Sequence, residues 1–125
     1  MKLKLWAVRG AIQVQHDRRE DILEGVQKLF NTICEANNLD EEDMVSLLFT
    51  VTADLQSLNP ASALRSQNTS FTVPLFCMQE PTISGMLPRT IRLMLHYYGD
   101  QDKSPKHVYL QGAAQLRPDL SFSDS

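Results

Sequence analysis

The sequence is short of the features that commit a chain to a familiar chemistry. It has two cysteines, Cys34 and Cys77, which make neither a disulfide framework nor a metal-type spacing. It has no surplus of positive charge. The formal net charge is −3, and no basic stripe is available to neutralise phosphates, which argues against nucleic acid as a partner. No apolar run approaches the roughly 20 residues of a membrane span, so no membrane partner is expected. The apolar start, Leu3 to Trp6, meets Arg9 and Gly10 too soon for a signal peptide. There is no Gly-rich phosphate loop and no G-x-S-x-G elbow. The three histidines, His16, His96 and His107, are scattered. These absences lead to the expectation of a protein without metal or cofactor in a reducing cytoplasm.

What is present is an acidic chain of 125 residues in which arginine outnumbers lysine. Its length and 42% hydrophobic content fit one domain with one modest core. Arg18 and Arg19 read as solvated helix surface. Arg9, Arg92 and Arg117 instead lie in or beside apolar segments. A guanidinium stays charged and offers a flat fork of donors that suits carboxylates. Setting such groups among aliphatic neighbours is costly unless something negative meets them. The pattern points to a small anionic ligand.

Period-two alternation predicts a first strand over residues 3–9, which continues past a bend or bulge at Gly10. The clearest helix spans 17–37. Asp17 is its expected cap, Glu20 sits at the capping-box position, and Asn37-Asn38 supply a left-handed stop. Residues 39–43 form an acidic turn. Residues 44–52 are apolar and β-branched and read as a buried strand. Asn59-Pro60 opens a short helix over 61–66. A strand ending at Cys77 follows, then a loop over 82–89. In a strand over 91–98, Arg92, Met94 and His96 share one face, and Leu93, Leu95 and Tyr97 the other. His107 to Leu110 is a last short strand, and residues 112–116 make one helical turn. The expected domain is 1–120, with a flexible tail over 121–125. This is an α+β chain with a mixed five-stranded sheet and one long helix. One helix covers only one face of such a sheet, so self-association is expected to cover the other.

Glu80, Arg92 and Arg9 read together as one site. The bland alternative for Arg92 is a structural ion pair, with Glu80 as its partner. Cys77 reads either as a nucleophile or as a small buried apolar residue, and composition favours the second. Tyr109 reads as core, and Met78, Met86 and Met94 as packing. His96 and His107 read as core or rim histidines, and His16 as surface.

Several blocks resemble one family. They are Arg9-Gly10-Ala11, Thr52-Ala53-Asp54-Leu55, Val73-Pro74 followed by Cys77-Met78-Gln79-Glu80, Ile91-Arg92, His107-Val108-Tyr109-Leu110 and Leu116-Arg117-Pro118-Asp119-Leu120. In order and spacing they are similar to the monofunctional trimeric chorismate mutases of the AroH class. The resemblance implies a trimeric pseudo-α/β barrel with active sites in clefts between subunits. It implies the Claisen rearrangement of chorismate to prephenate, on the route to phenylalanine and tyrosine, with no cofactor. By the same resemblance Arg92 faces the breaking ether oxygen, Arg9 and Tyr109 hold carboxylates, and Glu80 accepts from the substrate hydroxyl. Cys77 contacts the hydroxyl region, Phe76, Met78 and Gln79 line the strand, and Arg65 and Arg117 stand near the site mouth. The chain departs from the family pattern at Asn59, Ser62 and Phe76. Two other readings remain: a reactive-intermediate deaminase acting on imines, and a trimeric protein that only binds a small dicarboxylate.

Overall fold

A computed structural model describes residues 1–119. Its elements are β1 (Leu3–Gln13), α1 (Arg19–Asn37), β2 (Met44–Val51), α2 (Pro60–Gln67), β3 (Leu75–Gln79), β4 (Thr90–Asp100) and β5 (Val108–Leu110). Short 3₁₀ turns, Glu41–Asp43 and Gln111–Gln115, precede β2 and follow β5. The five strands form one sheet in the order β3-β2-β4-β1-β5. The central strand β4 runs antiparallel to both neighbours, while β3 and β5 pair parallel to β2 and β1. The mixed five-stranded sheet expected from the sequence is the one observed. The tail over 121–125 lies outside the described residues. Among the described residues no helix is long and apolar enough to cross a membrane.

Strand alternation divides the sheet cleanly. In β4, Ile91, Leu93, Leu95 and Tyr97 are buried, while Arg92, Met94 and His96 are half-buried on the other face. Val8 and Ile12 of β1 and Leu47 and Phe49 of β2 join the buried set. Helix α1 lays Ile22, Val26, Leu29, Phe30 and Ile33 on this face, and α2 adds Ala61, Ala63 and Leu64. Each fully buried aliphatic side chain is worth about 1.5–3 kcal/mol relative to exposure. This layer therefore holds the fold together. A smaller cluster of Ala11, Tyr109 and Ala113, with Leu87 and Leu116 against it, covers the opposite face only at the β1–β5 end. The remainder of that open face, over β4, β2 and β3, has no second layer among the described residues.

Three local expectations are corrected. Gly10 makes no bend. Pairing with β4 runs unbroken from Leu3↔Asp100 to Gln13↔Thr90. The glycine is needed because a Cβ there would stand 2.8 Å from both the Val108 carbonyl oxygen and Ile33 Cδ1. Asp17 does not cap α1. The helix starts at Arg19 with no side-chain cap, because Asp17 instead accepts from the Gln56 and Ser57 amides at 3.0 Å each. Burial alone would raise the Asp17 carboxyl, but these amides together with the Ser57 side chain hold it below its ordinary value. The strand before Glu80 does not stop at Cys77. It continues to Gln79, and the Glu80 amide still donates to the Val51 carbonyl at 2.8 Å. At its other end α1 stops as expected, on Asn38 in the left-handed region at φ 52°.

Candidate active site

The register of all five strands brings Arg9, Met78, Arg92 and Tyr109 to one place. Thr50 of β2 stands opposite Arg92 of β4 on one side and Met78 of β3 on the other. Ala11 lies opposite Arg92, Arg9 opposite Met94, and Tyr109 opposite Ala11. Every one of these positions faces away from α1. The result is a pocket of about 260 Å³ lined by Arg9, Leu48, Thr50, Met78, Arg92, Met94 and Tyr109, with Gly10 and Leu93 contributing at its floor. That volume is just below the range of about 300–1,000 Å³ in which small-molecule sites fall.

Glu80 enters from the end of β3. Its Oε1 accepts from Arg92 Nε at 2.7 Å and from the Thr50 hydroxyl at 2.5 Å. The Glu80 side chain is 14% exposed and that of Arg92 35%, so the pair is largely desolvated on the acidic side. Among the described residues, Glu80 Oε2, the Arg92 Nη groups and the Arg9 guanidinium have no hydrogen-bond partner. The ion pair offered as the bland alternative for Arg92 is present, and it leaves most of the guanidinium unspent. The pocket wall thus presents two cations and a phenol, and the half-occupied Glu80 carboxylate reaches two of its lining residues, Arg92 and Thr50, from the side.

His107 supports this pocket from the side. Its Nδ1 accepts the Arg9 amide N–H at 3.0 Å, just before β5 begins to pair with β1. Burial, with Arg9 and Arg117 adding positive charge nearby, lowers its pKa below the ordinary imidazole value. Arg117 itself is paired with Asp119 at 3.1 Å, on the segment following Tyr109 and the last turn.

Other expected site residues stand apart. Cys77 lies on the helix side of β3, opposite Phe49 and against the core. Burial raises its thiol pKa, and Cys34, more deeply buried, is pushed up to about 12. Neither environment produces a thiolate nucleophile. Gln79 shares the Cys77 side of the strand. Phe76 is on the open face but 66% exposed and outside the pocket wall. Arg65 is exposed on α2, on the far side of the sheet. Sequence reasoning missed Thr50, whose place in an apolar run reads as plain strand. It also set aside Met94 and His107, whose roles depend on strand register. The Asn59 departure has a local reason: its Oδ1 accepts the Ala61 amide at 2.8 Å and caps α2.

Comparison with known proteins shows the family. Residues 5–120 match the family model for chorismate mutase type I. The chain belongs to that family. It is 40% identical over 118 residues to chorismate mutase AroH of Bacillus subtilis, covering 93% of this chain and 92% of that one. It is 41% identical over 116 residues to chorismate mutase AroH of Thermus thermophilus, covering 90% and 93%. Among solved structures, a chorismate mutase from Clostridium thermocellum superposes with a TM-score of 0.83. It is 42% identical, and the match covers 89% of this chain and 99% of that one.

Proposed function

We infer that this protein is an isomerase that rearranges chorismate to prephenate, a step of aromatic amino acid biosynthesis. The observation that carries the reading is Arg92, held by one nitrogen to Glu80 with its other donors open to the pocket. Chorismate bears two carboxylates, a ring hydroxyl and an enolpyruvyl ether. Its rearrangement is unimolecular: a C–O bond breaks as a C–C bond forms, with no group gained or lost. The protein therefore selects a compact conformer and stabilises the charge that develops as the ether opens.

Negative charge grows on the ether oxygen. The Arg92 Nη groups answer it with a permanent cation in a partly desolvated pocket, where such a contact is strongest. Arg9 and the Tyr109 hydroxyl hold carboxylates. Glu80 Oε2 accepts from the ring hydroxyl and orients the ring. Met78, with Leu48 and Met94, supplies the apolar wall. The Cys77 and Gln79 side chains face the helix side, so β3 contributes main chain at those positions. Phe76 lies at the rim.

The pocket of one protomer is open and small, and the open face beside it exposes Phe76, Met78, Leu5 and Tyr98. We take the assembly to be a homotrimer in which a neighbouring copy closes each pocket. Arg65 and Arg117 would then stand near its mouth and draw in the dianion, Arg65 acting on a neighbouring copy's site. The two unpaired thiols suit a reducing cytoplasm.

The test is direct. Purified protein incubated with chorismate should consume its absorbance and yield prephenate. Arg92→Lys keeps the charge but loses the fork, and its kcat should fall about 10²- to 10³-fold. Absence of prephenate from the parent chain, or parental turnover by the lysine variant, would refute the assignment.

A further inference from the structure

Glu80 is fixed at three points. Its amide donates to the Val51 carbonyl at 2.8 Å, which sets its main chain at the end of β3. Its Oε1 accepts from Arg92 Nε at 2.7 Å. The same oxygen accepts from the Thr50 hydroxyl at 2.5 Å. The third contact has a consequence for the pair. An unrestrained carboxylate beside a guanidinium tends to a two-point, fork-to-fork arrangement. Here that would consume Oε2 and an Arg92 Nη group, the atoms needed for a ring hydroxyl and a breaking ether. Both donors instead converge on one oxygen, and Thr50 supplies the donor that is not arginine.

We propose that Thr50 is a positioning residue that holds Glu80 in a single-point pairing with Arg92, so that Oε2 and the Nη groups stay open to substrate. The proposal rests on the chorismate reading above and deepens it. It also fits the position of Thr50 in the strand. Thr50 is flanked in register by Arg92 and Met78, and it lines the same pocket wall. A hydroxyl on β2, between β3 and β4 in register, meets the carboxylate that arrives from the end of β3 and pairs with the guanidinium of β4.

Three variants test it with chorismate as substrate. Thr50→Val keeps the shape and removes the hydroxyl. One hydrogen bond to a charged group translates to about a 10- to 100-fold fall in kcat/KM. Thr50→Ser restores the donor and should stay within about threefold of the parent, on the same scale. On a Glu80→Ala background, Thr50→Val should cost less than about twofold, because the group it positions is gone. Thr50→Ala serves in place of valine if that variant does not fold. Equal activity of the valine and serine variants overturns the proposal. So does a valine penalty that multiplies undiminished on the Glu80→Ala background, since that is the behaviour of a general structural defect. A parent chain inert toward chorismate overturns the underlying reading, and this one with it.

Discussion

At position 107 a side chain takes over the work of a strand. The His107 imidazole accepts the Arg9 amide through Nδ1 at 3.0 Å, one residue before the β1–β5 ladder begins. That acceptor exists only while Nδ1 carries no proton. A proton would remove it and add a third positive charge beside Arg9 and Arg117; burial foremost, and then those two charges, lower the folded pKa. The sign for stability follows. Above about pH 6.5, the ordinary imidazole value, neither the folded nor the unfolded chain protonates this ring, and the contribution is fully present. As the pH falls through that value, the unfolded chain takes up the proton first, and stability is lost down to the folded pKa. His107→Asn can keep an acceptor near Nδ1 without titrating. Urea midpoints at pH 7.5 and pH 5.5 should therefore drop more in the parent than in His107→Asn. The ring is partly exposed, so solvent screening keeps the difference small. Equal drops in the two proteins would remove His107 as the source.

The strands were the most legible elements because period two survives any tertiary context. The alternation through β4 assigns Leu93, Leu95 and Tyr97 to one face and Arg92, Met94 and His96 to the other, as observed. The same rule, carried through β3, separates Cys77 from Phe76 and Met78, a separation that the block read as a motif obscures. What was hidden depended on partners distant in sequence. Asp17 looks like a helix cap until Gln56 and Ser57 outbid its own helix. Thr50 looks like a strand former until β3 delivers Glu80 from 30 residues away. Gly10 looks like a break because its real constraint is overhead: α1 and β5 approach too closely for any side chain. Gly10→Ala forces its Cβ against the Val108 carbonyl oxygen, a backbone atom that cannot turn aside. Overpacking of this kind costs about 1–3 kcal/mol, and chemical denaturation should show that loss. Because the strain falls between β1 and β5, it should also disturb Arg9 and Tyr109 and raise KM for chorismate. An alanine variant of parental stability and KM would show that the two strands separate freely.

A single sheet with helices on one side leaves the molecule half finished. Leu3 is 61% exposed, Leu5 49%, Tyr98 49%, Phe76 66% and Met78 44%, all on strand positions facing away from α1. Large apolar side chains exposed along one sheet face point to an interaction face. The proposed catalytic pocket opens on that same face, bounded by Met78 on one side and Arg9 on the other. A homotrimer burying this face would therefore complete the pocket and the fold in one step, which ties activity to assembly. Phe76→Asp tests that link. The residue lies outside the pocket wall, so the change leaves the groups that meet substrate in place. Burying an unpaired carboxylate in an interface is strongly unfavourable. Light scattering should find three chains per particle for the parent and a shift toward the 14.2 kDa single chain for the variant. Specific activity of the variant should fall as the protein is diluted and recover as it is concentrated, since association obeys mass action. A single-chain particle with full, dilution-independent activity would mean that one protomer rearranges chorismate alone and that the exposed face has some other partner.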